Sequence, residues 1–171
     1  MKTSNNVICQ VSAGLTSVMM AIKMKEWYPE CKVINVFANT SKEDERSLLF
    51  MHECDKYYGL NLVWLEAMIT PEKGVGTKYK VTSFDKLKRN GEIMEEGIKK
   101  YGIPSRVNKW CNRELKIVPI TKYANDIFEK DWSAAVGIRI DEMDRVSKSY
   151  KENNIFYPPF DQKINKHRRN K

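Results

Sequence analysis

The chain has 171 residues, of which 42% are hydrophobic and 30% charged, so it is long enough for one domain with its own core. No apolar run approaches the roughly 20 residues that cross a membrane, and the first residues lack the apolar region of a signal peptide. We therefore predict a cytoplasmic protein that has no membrane partner.

The positive charge is concentrated at the end of the chain. The net charge is +8, and residues 163–171 contain five Lys or Arg and no acidic residue, which leaves +3 for residues 1–162. Such a tail is usually solvated, and it is only a weak indication of nucleic-acid binding. The sequence predicts one α/β domain over residues 1–162 and a basic tail over residues 163–171.

The cysteines give no sign of a metal centre. Cys9, Cys31, Cys54 and Cys111 form no C-x-x-C pair, and the chain has only two histidines. Zinc sites and iron–sulfur clusters usually need about four clustered ligands. We expect no metal site, no iron–sulfur cluster and free thiols in a reducing compartment.

Hydrophobic periodicity and turn residues predict alternating strands and helices with short connections. This order is typical of a doubly wound, Rossmann-like α/β fold, with a mostly parallel five-stranded sheet and helices on both faces. The predicted strands are Val7–Val11, Lys32–Ala38, Asn61–Glu66, Trp132–Ile138 and, at an edge, Ile155–Phe160. The predicted helices are Ser17–Trp27, one ending near Tyr58, Glu92–Tyr101, and Trp110–Phe128, which Pro119 kinks or breaks.

Residues 68–91 interrupt this alternation. Glycine, proline and six cationic residues punctuate the segment, and hydrophobic periodicity is lost. We interpret it as a basic excursion or lid, with a short strand around Lys78–Ser83.

The segment Ser12–Ser17 follows the first strand and precedes the first helix. Ser12, Gly14, Thr16 and Ser17 combine small size with hydroxyl groups, and the helix N-terminus offers unpaired N–H groups and a partial positive charge. This pattern indicates a phosphate-binding loop. An ordinary strand-to-helix turn capped by Thr16 or Ser17 would give the same pattern.

A second candidate region runs from Arg106 to Lys116, where four cations surround Cys111 near a helix start. Such cations bind phosphate or sulfate, and they also stabilise a thiolate, which makes Cys111 a weak candidate for a catalytic nucleophile. A solvated basic helix end with a buried small cysteine is the alternative.

A third candidate region, Gly137–Arg145, follows a predicted core strand and alternates cations with carboxylates. A pair such as Arg139 with Glu142 could fix an anion, a ribose or a metal-bound water. A surface loop of salt bridges, worth little energetically, is the alternative.

These motifs, in this order, resemble those of the phosphoadenosine phosphosulfate (PAPS) reductase family, within the adenine-nucleotide alpha-hydrolase-like (PP-loop) superfamily. Ser12–Ser17 is similar to the S-G-G-x-D-S loop, and Asn39–Glu43 to N-T-G-x-E. Cys111–Pro119 is similar to C-T-R-E-L-K-x-x-P, and Gly137–Glu142 to G-I-R-x-D-E. Small members of this kind are often encoded by bacteriophages.

The resemblance implies an adenine nucleotide, ATP or PAPS, as the bound small molecule. It implies that phosphates or sulfate lie at the loop and near cations from the later motifs. The nucleotide-binding residues so implied are Ser12, Gly14, Thr16, Ser17, Asn39, Thr40, Arg113, Lys116, Gly137 and Arg139, with support from Glu43, Glu142 and Arg145.

Four departures from the family pattern leave the activity open. Ala13 and Ser41 stand where the motifs have glycine, and Thr16 stands where the loop has an aspartate suited to Mg²⁺. The last cysteine is Cys111, whereas the reductases attack with a cysteine in a C-terminal segment. The product is either naturally short or continues beyond this chain.

The alternatives are therefore three. One is a PAPS-reductase-like oxidoreductase with a thiol reductant such as thioredoxin. Another is an adenylating or sulfur-transferring enzyme that requires ATP and Mg²⁺. The third is a catalytically inactive nucleotide-binding or partner-binding module. The oligomeric state, including a homo-oligomer, is open in each case.

Overall fold

A computed structural model describes residues 4–139, 141–142, 146, 149 and 153–158. Arg145, the basic tail and the last two residues of the predicted strand Ile155–Phe160 lie outside these residues. Within them the chain forms an α/β structure around one sheet. The strands are β1 (Asn6–Gln10), β2 (Lys32–Asn39), β3 (Val63–Met68), β4 (Lys78–Thr82), β5 (Ser133–Val136) and β6 (Ile155–Phe156).

The sheet has the strand order β4-β3-β2-β1-β5-β6 and is parallel except for β4. β1 lies between β2 and β5, and Gln10 at its end is aligned with Val36 and Val136. The carboxyl ends of these three strands therefore meet at one edge. The connections from β1 to β2 and on to β5 place strands on opposite sides of β1. In open α/β sheets, the carboxyl ends of the strands at such a reversal of strand order are the usual place for a ligand.

The helices in the described residues follow the sequence prediction closely. They are α1 (Leu15–Trp27), α2 (Glu45–Tyr58) and α3 (Glu92–Tyr101), followed by one helical stretch made of α4 (Trp110–Asn112), a π-helical turn (Arg113–Ile117) and α5 (Val118–Phe128). Pro119 cannot donate a main-chain hydrogen bond and crowds the preceding turn. The preceding turn, Arg113–Ile117, has π-helical geometry, and the helical stretch continues through Pro119.

Helices cover both faces of the sheet. Val7 and Cys9 pack with Met24 of α1 and Met51 of α2, whereas Ile8 packs with residues of α5 on the opposite face. Alternate residues of a strand point to opposite faces, so β1 is buried on both sides. No helix of the described residues is long and apolar enough to span a lipid bilayer.

The number of strands differs from the prediction of five. β4 pairs antiparallel with β3, with Lys78 opposite Met68 and Thr82 opposite Trp64, and makes the sheet six-stranded. Its exposed lysines, Lys78 and Lys80, are typical of a protected edge strand. β4 thus extends the sheet at the edge far from β5 and confirms the predicted short strand around Lys78–Ser83, while the interpretation of residues 68–91 as a basic excursion or lid stays a prediction.

Candidate functional site

A cleft of about 350 Å³ lies at the carboxyl ends of β1, β2 and β5. Residues from all the sequence motifs line it: Ser12, Ala13 and Ser17 from the loop after β1, Glu43 from the loop after β2, Lys116 from the π-helical turn, and Gly137 after β5. The fold thus brings together residues up to 127 positions apart in sequence, Gln10 and Gly137. The apolar residues of its lining are Val11, Phe37, Ala38, Ile117, Ile120 and Val136.

The loop after β1 is held in shape by Ser17. The Ser12 N–H donates to Ser17 Oγ at 3.0 Å, and this hydroxyl lies 2.7 Å from Ser12 O and 2.8 Å from Gly14 O. Ser17 is buried, so its hydroxyl serves as the internal brace of the loop. Ser12 Oγ, 3.0 Å from Ser17 Oγ, belongs to the same network.

The main chain of this loop offers several hydrogen-bond donors. Gly14 is the N-cap of α1 and has no side-chain capping bond. Within the described residues, the main-chain N–H groups of residues 13–16 have no protein acceptor. Of these residues Ala13 lines the cleft, whereas the predicted site residues Gly14 and Thr16 do not line it and lie between Ala13 and Ser17, which do. The free N–H groups and the positive end of the α1 dipole both favour an anion beside this loop.

Gly137 allows the end of β5 to approach this loop. A Cβ atom at Gly137 would lie 3.2 Å from Ser17 Cα and 3.4 Å from Ser17 N, which are main-chain atoms that cannot yield easily. The sequence predicted Gly137 as a ligand-binding residue, and the structure also gives it a role in packing. Because Gly137 has no side chain, the chain after β5 can pack directly against the main chain of the loop at Ser17.

The loop after β2 is anchored by buried polar groups. Asn39 is fully buried, and its Nδ2 donates to Glu66 Oε1 and to Lys88 O, both at 2.8 Å. Ser41 adopts a left-handed conformation with φ of 62°, which normally favours glycine, the residue of the similar motif at this position. Asn39 and Ser41 thus fix the loop that carries Thr40 and Glu43.

Thr40, Glu43 and Lys116 form a connected group at the cleft. The Lys116 ammonium lies 3.2 Å from Glu43 Oε1, and the Thr40 hydroxyl donates to the same oxygen at 3.0 Å. The side chains of Lys116 and Glu43 remain 40% and 22% exposed. Lys116 is therefore fixed in direction and still reachable by a ligand.

Arg113 lies on another side of the helical stretch. It pairs with the buried Glu114 at 2.7 Å, and Glu114 in turn accepts a hydrogen bond from Thr77. Arg113 does not line the cleft, although the sequence grouped it with Lys116. Cys111 also lies outside the lining and packs against the cluster that contains Ile93 and Trp110.

Arg139 follows Gly137 but does not line the cleft. Its guanidinium donates to both carboxylate oxygens of Asp141, at 2.9 and 2.7 Å, and these bonds lower the pKa of Asp141. Glu142 contributes a main-chain hydrogen bond to Arg139 O at 3.0 Å. The structure thus pairs Arg139 with Asp141, and the suggested pair of Arg139 with Glu142 stays a prediction.

Sequence reasoning missed several residues of the lining. Asn112 belongs to the same motif as Lys116 and also lines the cleft. It lies four residues before Lys116, and residues at this spacing share one face of a helix. Gln10 and Phe37 come from the ends of β1 and β2. Their position at strand ends was the signal that could have identified them.

Comparison with known proteins gives distant relatives. The chain is 29% identical over 144 residues to an uncharacterised nin region protein of Escherichia phage lambda, covering 81% of this chain and 50% of the phage protein. It is 28% identical over 104 residues to an uncharacterised protein of Methanocaldococcus jannaschii, covering 61% of this chain and 17% of that protein. The chain therefore spans half or less of these curated relatives.

No protein-family model matches the chain. No solved structure matches it either. The similarity to a phage protein agrees with the expectation, drawn from the motifs, of a phage-related α/β protein.

Proposed function

We propose that this chain binds an adenine nucleotide, ATP or PAPS, with the phosphate or sulfate end between the loop after β1 and Lys116. The observation that carries the proposal is the convergence on one cleft of a fixed ammonium group and the loop after β1, whose main-chain N–H groups at residues 13–16 have no acceptor among the described residues. These donors come from segments about 100 residues apart in sequence, and both suit an oxyanion.

The shape of the cleft also supports a nucleotide. Its volume of about 350 Å³ lies within the range of small-molecule sites, roughly 300–1,000 Å³. Its lining combines polar side chains, such as Ser12 and Lys116, with apolar ones, such as Phe37 and Ile117. A ligand that has both a charged group and a planar apolar group suits such a mixed lining.

The choice of adenine, and of a PAPS-reductase-like chemistry, rests on the similarity of the four motifs. The matches to the phage and archaeal proteins add no named activity, so the nucleotide is proposed from the motifs and the cleft together. We propose that this function takes place in the cytoplasm, where free thiols such as these four are usual.

A binding module without thiol chemistry of its own is the second candidate. None of the four cysteines, all within the described residues, lines the cleft. Burial also raises the pKa of the Cys9 thiol, which disfavours its reactive thiolate form. Reduction of a sulfonucleotide in this cleft would need a thiol from outside these segments, such as a thioredoxin-like partner.

Calorimetric titration with ATP, AMP, PAPS and adenosine 3′,5′-bisphosphate tests the proposal. We expect saturable binding of ATP or PAPS, and a weaker response from AMP. Binding of none of the four would contradict the proposal. Release of pyrophosphate from ATP and Mg²⁺ would instead indicate the adenylating or sulfur-transferring activity.

A further inference from the structure

The charged side chains that line the cleft are one cation and one anion. Among the described lining residues, Lys116 and Glu43 are the charged ones, so their formal charges cancel. A cleft that only had to attract a polyanion would gain from the lysine alone. The presence of the Glu43 carboxylate in the cleft therefore needs a separate reason, and that reason rests on the nucleotide binding proposed above.

The carboxylate of Glu43 is held in place from two sides. Thr40 Oγ1 donates to Glu43 Oε1 at 3.0 Å, and the Thr40 hydroxyl itself accepts from the Lys42 N–H at 3.4 Å. Lys116 Nζ approaches the same carboxylate oxygen at 3.2 Å. Thr40 is buried, so the carboxylate cannot simply swing into solvent without losing these contacts.

We infer that Glu43 sets how much negative charge the cleft accepts, by competing with the ligand's phosphate or sulfate for the Lys116 ammonium. A phosphate group close enough to contact Lys116 also lies close to the carboxylate, and the two like charges repel each other. Each additional phosphate adds to this repulsion. Glu43 is thus a specificity-determining residue that lowers the affinity for the most highly charged nucleotides.

The test is the Glu43→Gln variant, titrated calorimetrically with adenosine, AMP, ADP and ATP in a chelating buffer free of divalent cations. Glutamine keeps the size of the side chain and an oxygen that accepts from Thr40, but removes the charge. We expect ATP to bind about tenfold more tightly than to the wild type, with smaller gains for ADP and AMP and none for adenosine.

Glu129→Gln is the matched control. It removes the same charge from an exposed residue just after α5, about 20 Å from Lys116 along the helical stretch and beyond the screening length of physiological salt. We expect it to leave all four affinities unchanged.

An unchanged or weaker ATP affinity in Glu43→Gln would overturn the inference, and so would an equal gain for adenosine and ATP. A weaker affinity would mean that the carboxylate helps the ligand to bind. Failure of the wild-type protein to bind any nucleotide would contradict the proposed function instead, so the two failures are distinguishable.

Discussion

Leu115 and Lys116 are neighbours in the π-helical turn, yet they belong to different parts of the molecule. Leu115 is fully buried with Ile93 and Trp110, whereas Lys116 is 40% exposed and faces the cleft with Glu43. One sequence motif thus supplies a core side and a site side. Position within the motif and charge therefore do not identify the residues that face the ligand. The direction in which each side chain points decides this.

Truncation on the core side should have the largest effect. Leu115→Ala removes a fully buried side chain and leaves a cavity, and we expect it to lower the free energy of unfolding by about 2–5 kcal/mol. Urea denaturation measures this change. If Leu115→Ala kept the stability of the wild type but bound nucleotide less tightly, Leu115 would belong to the site and not to the core.

Gly137→Ala tests how closely β5 must approach the loop after β1. The added methyl group would lie 3.2 Å from Ser17 Cα, so we expect a stability loss of about 1–3 kcal/mol and weaker ATP binding. Gly76→Ala is the control, because its methyl group would meet only Lys122 Nζ at 3.9 Å. Thermal unfolding and titration of both variants should separate them; similar behaviour would argue against a tight contact at Gly137.

Lys116→Met and Arg113→Met compare two cations of the same motif. We expect Lys116→Met to weaken ATP binding about tenfold, and Arg113→Met to change it less than about twofold, because Arg113 is paired with Glu114 outside the cleft. Arg113→Met should instead reduce stability, since buried Glu114 loses a partner. Equal losses of ATP affinity would show that both cations reach the ligand.

Cys111→Ser should have the smallest effect. Cys111 packs beside the Ile93–Trp110 cluster and does not line the cleft, so we expect unchanged nucleotide affinity and a stability loss below about 1 kcal/mol. Calorimetric titration checks the affinity. Complete loss of binding would give the thiol a role that its position does not suggest.

The sequence predicted most helices and strands because their apolar residues recur with clear periods. α3 begins and ends at the predicted residues, Glu92 and Tyr101, since glycines flank it on both sides. β4 was less clear because an edge strand exposes most of its side chains. Its exposed lysines conceal the alternation on which strand prediction depends.

The candidate site was predictable in its motifs and less so in its individual residues. Ser12 and Ser17 of the loop after β1 line the cleft together with Glu43, Lys116 and Gly137, as parallel topology would suggest, whereas Gly14 and Thr16 do not. Asn39 instead anchors the loop after β2 through Glu66. A motif pattern cannot separate such structural roles from contacts to a ligand, because both favour the same polar residue types.

The most direct test of the polyanion cleft is a comparison of Gly14→Asp with Gly14→Ala by ATP titration and thermal unfolding. Gly14 has φ of −83°, and an added Cβ atom would meet only Ser12 Oγ at 3.6 Å, so alanine fits. An aspartate at this N-cap can accept from the α1 N–H groups that we assign to the ligand.

We expect Gly14→Ala to bind ATP nearly as tightly as the wild type. Gly14→Asp should keep or slightly raise its thermal stability while losing most of its ATP affinity. Equal ATP affinity in the two variants, with both folded, would contradict the account.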